Sequence, residues 1–169
     1  MVENLVCFPG PGAFFRHVAF VKVGGWNEAL RQVPDFDFWL RLSQHGRFLR
    51  IPRVLAHYRI HESSASFRPT TAERSEEIIA VAESFWKDQG TRLHAAGYSK
   101  PRSLSMAYLM AARSHFASAR PGRGLLCVSR AWRLAPTRML DGLAWRILVG
   151  GLLRRPVYLL RAIVKRRAP

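Results

Sequence analysis

The chain has 169 residues, of which 49% are hydrophobic, and 27 Lys and Arg against 11 Asp and Glu give it a formal net charge of +16. This hydrophobic content excludes a disordered chain, and no apolar stretch reaches the ~18 residues of a membrane-spanning helix. The charge implies an anionic partner, whether a nucleic acid, a phosphorylated substrate or an anionic lipid surface.

The two cysteines, Cys7 and Cys127, lie far apart and in no metal-ligand spacing. We interpret them as free thiols in a reducing compartment. The first residues also lack the basic segment and apolar run of a secretion signal. We therefore expect a cytoplasmic protein, held peripherally at the inner face of the plasma membrane.

Changes in composition divide the chain into three regions. Residues 1–68 consist of short segments interrupted by glycine and proline, residues 69–136 have long helical patterns, and residues 137–169 are basic and amphipathic. The first region predicts a short strand at residues 13–15, a short helix at 16–22 and a helix at about 37–44. Strand-like runs follow at residues 48–51 and 54–58. Two such strands cannot close a sheet, so an open hydrophobic edge would remain.

The second region predicts three helices. The separation of Thr70 and Glu73 fits a capping box at the start of the first, which Gly90 would end. Two further helices, at about residues 103–118 and 122–134, are joined by a short connection, and Pro136 ends the second. Apolar faces on both favour an antiparallel hairpin.

The third region combines positive charge with apolar side chains. One acid and seven bases lie between residue 141 and the end of the chain: Asp141, Arg146, Arg154, Arg155, Arg161, Lys165, Arg166 and Arg167. We predict amphipathic helices at residues 139–153 and 156–167. Basic side chains beside Trp145 and Tyr158 fit helices lying in a membrane interface. The alternative is a helix docked on the rest of the protein with its arginines in solvent.

Two acids, Asp35 and Asp37, stand where a loop meets the predicted helix at 37–44. Asp37 could cap this helix while Asp35 lies in solvent, or a partly enclosed carboxylate there could act as a general base. In a strand, His57, Arg59 and His61 would share one face. Such a face could meet phosphate or a divalent metal, or could simply be solvated.

Four motifs occur in order between residues 11 and 66: Pro-Gly-Ala-Phe-Phe-Arg, Val-Gly-Gly-Trp-Asn-Glu-Ala-Leu, Asp-Phe-Asp-Phe-Trp-Leu-Arg-Leu and Tyr-Arg-Ile-His-x-x-Ser-x-Ser. Together they resemble the family 2 glycosyltransferases. The resemblance implies a partial GT-A fold of the α/β class, followed here by an α-helical C-terminal region. It also implies inverting transfer of a hexosyl group from a nucleotide-sugar donor to a glycan or lipid-linked acceptor, in cell-envelope or exopolysaccharide synthesis, with Mg²⁺ or Mn²⁺ as cofactor.

The resemblance assigns roles to the acceptor-side positions. Asp35 matches the aspartate that acts as base on the acceptor hydroxyl, although Pro34 stands where the family commonly has an acid. Asp37 matches the second acid, and Arg41 continues the helix that this motif opens. The family's acceptor-side loop is matched by Gly24, Gly25 and Trp26.

The fourth motif concerns the diphosphate side. His61 matches a histidine that lies near the metal and the diphosphate in the family, which makes it a metal-ligand candidate, and Arg59 would sit close to it. The family's nucleotide-binding strands and its Asp-x-Asp metal motif belong to an earlier part of the domain. Only ten residues precede the resemblance here, so we expect a truncated reading frame, a remnant, or a split protein that needs a complementing N-terminal half. We expect this chain to be inactive alone.

An alternative from a different class is a non-catalytic, basic helical protein that binds anionic membranes through residues 139–167. Nucleic acid is a less favoured partner, because the chain has no recognised nucleic-acid-binding motif.

Overall fold

A computed structural model describes residues 3–5, 10–57, 59 and 70–153. The helices are α1 (His17–Val23), α2 (Pro34–Leu42), α3 (Ala72–Ala95), α4 (Lys100–Ala117) and α5 (Pro121–Leu134). A 3₁₀ turn (Pro136–Leu140) follows, and residues 142–153 are helical. None of the helices in these ranges is both long enough and apolar enough to cross a membrane.

The predicted α/β fold is wrong for the described residues, which contain helices and no strand. The strand-like runs at 13–15, 48–51 and 54–57 adopt no regular structure. Leu49 and Val54 are 90% and 80% exposed. The physical reason is that a strand needs a neighbouring strand for its backbone hydrogen bonds, and the described residues supply none. Tyr58 lies outside them.

The predicted helical hairpin is confirmed. Near the start of α4, Ser105 donates a hydrogen bond to the backbone carbonyl of Ala131 near the end of α5, at 2.9 Å. Near the end of α4, the Phe116 ring packs so closely on Gly124, near the start of α5, that a Cβ there would lie 2.5 Å from it. The two helices are therefore antiparallel, and α3 packs on α4 beside them.

The amino end of α3 differs from the predicted capping box. Thr71, rather than Thr70, caps the helix, and its hydroxyl accepts a hydrogen bond from the Arg74 backbone N–H at 3.3 Å. Thr70 instead directs its hydroxyl to Ser75 and Ser114, at 2.7 Å and 2.9 Å. The observed cap lies one residue after the predicted one, because the Thr70 hydroxyl is bound to Ser75 and Ser114 at the α3–α4 interface.

The carboxyl end of α3 also lies beyond the predicted stop. The helix continues through Gly90 to Ala95, since a single interior glycine weakens a helix without ending it. The chain turns at Gly97, whose φ is +80°, and the Tyr98 N–H reaches back to the Leu93 carbonyl at 3.0 Å. Glycine adopts this left-handed conformation at little cost, so Gly97 ends α3.

Helix α2 contributes side chains to two hydrophobic clusters. Phe36 and Leu40 are buried in the larger cluster, which α3, α4 and α5 form. Phe38, Trp39 and Leu42 are buried in a smaller cluster with residues of α1. Pro34 occupies the first helical position, which explains why α2 begins before the predicted residue 37. The helix therefore joins the first part of the chain to the helical bundle.

A carboxylate of α3 fixes the approach to α2. Glu77 accepts hydrogen bonds from three consecutive backbone N–H groups, those of Arg31, Gln32 and Val33, with Oε2 at 3.0 Å from Arg31 N and 3.3 Å from Val33 N. The Glu77 carboxylate thus supplies an acceptor for the N–H groups that precede α2. Its negative charge also interacts favourably with the positive end of the α2 dipole.

The helical segment 142–153 packs closely on α4. A Cβ on Gly151 would come within 2.9 Å of the Cα and carbonyl oxygen of Arg113. Part of the predicted helix 139–153 is thus confirmed, although residues 136–140 form the 3₁₀ turn. The second predicted helix of this region, residues 156–167, lies outside the described residues.

Candidate functional site

The two acceptor-side motifs predicted from the sequence contact each other. Arg41 of α2 donates hydrogen bonds to the backbone carbonyls of Val23 and Gly25, at 2.7 Å and 2.9 Å. Gly24 ends α1 with a φ of +77°, which a side chain-bearing residue rarely adopts. The glycines therefore form a turn that Arg41 holds against α2.

Trp26 anchors the same turn. Its ring stacks on Phe38 of α2, with centroids 4.5 Å apart and an interplanar angle of 16°. Phe15 and Phe20 contact the same rings, so the turn rests on an aromatic cluster. Trp26 is still 47% exposed. A half-exposed aromatic ring at the edge of a fixed turn presents a surface on which a sugar ring or another planar apolar face can pack.

Asp37 has a structural partner. Its Oδ2 lies 2.9 Å from Nε and 2.8 Å from Nη2 of Arg41, one helical turn away. Both side chains are partly buried, and the guanidinium already binds the turn at residues 23–25. Asp37 therefore orients Arg41.

Asp35 lies in a different environment from Asp37. It is exposed, in the first turn of α2, and its Oδ1 accepts a hydrogen bond from the Phe36 backbone N–H at 2.8 Å. The amino end of a helix attracts negative charge. Of the two acids, Asp35 is the more exposed.

Of the two diphosphate-side candidates, the structure describes Arg59. Arg59 and His57 are exposed in a segment without regular structure, and His61 lies outside the described residues. The predicted strand face is therefore not formed at His57. In the part of the chain that the structure describes, no three His, Cys, Asp or Glu side chains are grouped to hold a metal ion. We assign no metal ligand there.

A buried network in the helical bundle was missed by the sequence analysis. His115 of α4 is fully buried, and its Nε2 lies 3.0 Å from Oε1 of Glu76 on α3. Arg120 donates from Nε to the other ring nitrogen, Nδ1, at 3.0 Å. Because a guanidinium nitrogen can only donate, Nδ1 is an acceptor and the proton is on Nε2.

This arrangement keeps His115 neutral. Burial lowers the pKa of His115 below its ordinary value, and the positive charge of Arg120 acts in the same direction, while the bond to Glu76 opposes both. The sequence gives little signal for such a network, since residues 76, 115 and 120 become neighbours only when α3 packs on the hairpin.

Comparison with known proteins gives no match: no family model, no curated protein and no solved structure is similar to this chain.

Proposed function

We propose that residues 10–57 form part of the acceptor side of an inverting glycosyltransferase that uses a nucleotide-sugar donor in cell-envelope or exopolysaccharide synthesis. Asp35 is the base in this proposal. The difference between the two acids supports this assignment. Asp37 binds Arg41, whereas Asp35 is exposed at the amino end of α2. The ordered resemblance of the four motifs supports the reaction class.

The chemistry requires a carboxylate on the acceptor's face of the sugar. The acceptor oxygen forms a bond to the anomeric carbon while the bond from that carbon to the diphosphate oxygen breaks with its electron pair. Asp35 takes the proton of the acceptor hydroxyl. The turn at residues 24–26, held by Arg41 and Trp26, would position the acceptor beside that carboxylate.

The donor side is less defined in this proposal. Arg59 and His61 would stabilise the negative charge that develops on the leaving diphosphate. The expected Mg²⁺ or Mn²⁺ would add a Lewis acid there. No group of three His, Cys, Asp or Glu side chains that could hold this metal occurs among the described residues.

The test replaces each acid in the chromosomal gene and measures cell-surface polysaccharide in the living source cells. This context supplies whatever donor-binding part the protein works with. Asp35→Asn should abolish the product while the protein remains folded and present at normal levels. Asp37→Asn is the matched control, because it removes the same charge two residues away and should act through reduced stability. Normal polysaccharide in the Asp35→Asn strain would overturn the assignment of the base.

A second candidate function, binding to an anionic membrane surface, is favoured by a different observation. Helix α5 and residues 142–153 expose large apolar side chains together with arginines. The apolar set is Leu125, Leu126, Trp132, Trp145, Leu152 and Leu153, and the exposed arginines are Arg123, Arg130, Arg133 and Arg146. Exposed tryptophans beside arginines are typical of helices that lie in a lipid interface. We propose the cytoplasmic face of the plasma membrane as the location.

Sedimentation of the full chain with liposomes tests this candidate. Binding should require anionic lipid and weaken as salt is raised, because the arginines attract the headgroups. The double variant Trp132→Ser, Trp145→Ser should weaken binding to anionic liposomes. Equal sedimentation with neutral and anionic liposomes would contradict the proposal.

A further inference from the structure

A cleft with a volume of about 270 Å³ lies between the amino end of α3, the carboxyl-terminal half of α4 and the backbone at residues 32 and 33. Its apolar lining consists of Val33, Ile78, Met110 and Ala117. Its polar lining comes from Thr70, Arg74, Ser75, Arg113, Ser114 and Ser118. The cleft therefore has two cationic side chains and four hydroxyls but no acid among these residues.

Arg113 carries an unsatisfied donor. Its Nε is buried and has no hydrogen-bond partner among the residues that the structure describes. A buried N–H without an acceptor costs free energy, and a guanidinium donor costs more than a neutral one. The backbone of Arg113 is held in place by the close approach of Gly151. Arg113 also lines the cleft, so its guanidinium brings a positive charge there.

The hydroxyls form a connected group on the opposite wall. The Oγ of Ser75 donates to the Thr71 carbonyl at 2.9 Å and accepts from Nη2 of Arg120 at 2.8 Å. Ser114 lies 2.9 Å from both Thr70 and Ser75, and hydroxyl protons rotate to suit the acceptors available. The Ser114 hydroxyl can therefore turn its proton toward an anion, while Ser75 donates to the Thr71 carbonyl.

Ser118 is the hydroxyl best placed to donate. Its Oγ accepts a hydrogen bond from the Thr70 backbone N–H at 3.0 Å. That contact leaves its own proton for another acceptor, and the Thr70 hydroxyl, at 3.4 Å, is a distant one. An oxygen of a bound anion would be a better partner.

The charges around the cleft favour an anion. Arg74 and Arg113 line it, and Arg120 lies behind the hydroxyls through its bond to Ser75. Two acids of α3 near these residues have partners: three backbone N–H groups bind Glu77, and Glu76 accepts from Arg123. The side chains that line the cleft carry a net positive charge.

We propose that this cleft binds the phosphate group of a phosphorylated small molecule. Arg74 and Arg113 would share the two negative charges, and Ser114 and Ser118 would donate to the remaining oxygens. Donors that come from two helices can approach a tetrahedral dianion from more than one direction. The apolar side at Ile78, Met110 and Ala117 leaves room for a small organic portion. This proposal does not depend on the glycosyltransferase proposal.

The test measures binding of inorganic phosphate to the full chain by calorimetry and by thermal unfolding, with chloride and acetate compared at equal ionic strength. Phosphate should bind saturably and raise Tm, whereas chloride and acetate should not. Arg74→Gln and Arg113→Gln should each weaken phosphate binding about tenfold or more, because each removes a charged donor. Arg133→Gln is the matched control, since this exposed arginine lies about 20 Å along α5 from Arg120 and should bind as the wild type does.

Three outcomes would overturn the proposal: no saturable binding, equal stabilisation by all three anions, or an equal effect of Arg133→Gln. Arg113 is partly buried and contacts Gly151, so its substitution can impair folding. In that case Arg74→Gln and Ser118→Ala test the proposal, since both residues would donate to the phosphate. Wild-type phosphate binding in both variants would overturn it.

Discussion

The guanidinium of Arg41 binds the carboxylate of Asp37 at 2.8 Å and the backbone carbonyl of Gly25 at 2.9 Å. One side chain thus joins helix α2 to the turn that follows α1. The two motifs are separated in the sequence but meet through this residue. This contact explains in terms of packing why both motifs occur in the chain.

Replacing Arg41 by glutamine should destabilise the protein by about 1–3 kcal/mol, because the carbonyls of Val23 and Gly25 and the Asp37 carboxylate lose charged donors in a partly buried place. Urea unfolding followed by tryptophan fluorescence measures the change. Arg47→Gln, an exposed position close by in sequence, should leave the free energy of unfolding unchanged. Equal stability of the two variants would show that the turn is held by other contacts.

Stability should fall as the pH drops below 6.5. The pKa of His115 in the folded protein lies below its ordinary value of 6.5, chiefly because burial disfavours the charged ring. The unfolded chain therefore binds a proton that the folded chain does not, between the folded pKa and 6.5. The stabilisation that neutral His115 contributes is fully present above pH 6.5. It declines below that pH by at most about 1.4 kcal/mol per pH unit, the limit for one proton. Urea midpoints between pH 8 and pH 5 measure this slope.

The control for that slope is His115→Gln. Glutamine does not titrate, so the fall in stability that begins near pH 6.5 should disappear in this variant. This holds even if the variant is less stable than the wild type at every pH. The exposed His45→Gln should keep the wild-type slope. An unchanged slope in His115→Gln would mean that another group is responsible.

Gly124→Ala should destabilise the hairpin by about 1–3 kcal/mol. A Cβ at this position would lie 2.5 Å from the ring of Phe116, so α4 and α5 would have to separate or the ring would have to move. Gly122→Ala is the matched control two residues earlier, where no atom lies within 4 Å of an added Cβ. That change should be neutral or mildly stabilising, since alanine favours helix. Thermal unfolding of both variants gives the comparison.

Ala119→Gly should stabilise the protein by roughly 0.5–1 kcal/mol. Ala119 lies between α4 and α5 with a φ of +60°, a conformation that costs alanine more than glycine. Its N–H bonds to the Phe116 carbonyl at 3.1 Å, and the next N–H, of Arg120, bonds to the His115 carbonyl at 2.9 Å, so the turn itself is fixed. Ala119→Val should have the opposite effect on Tm. A loss of stability in the glycine variant would refute the strain at this turn.

The helices were the most predictable part of the fold. The apolar periodicity and the Pro and Gly positions located α1, α4 and α5 to within a few residues. The strands failed because β-propensity in a run such as residues 48–51 describes a side chain's preference for a sheet, and a sheet also needs partner strands. Sequence patterns carry no measure of whether those partners are present.

The candidate site was predictable in part. The resemblance placed Gly25, Trp26 and Asp37 in one site, and the structure brings them together through Arg41 and Phe38. The distinct environments of Asp35 and Asp37 could not be read from the sequence, because they depend on which carboxylate Arg41 reaches. The network around His115 could not be predicted from the sequence either, because its members become neighbours only when the helices pack.

Helix α2 has one face in each of the two hydrophobic clusters, with Phe36 and Leu40 in one and Phe38 and Leu42 in the other. Unfolding of α2 would therefore disrupt the packing of both clusters. In amide hydrogen exchange, the protection of α2 should follow that of α3 and α4 rather than that of the exposed segment at residues 47–57. The turn at residues 24–26, which Arg41 and Phe38 hold against α2, should therefore resist unfolding as long as the bundle remains folded.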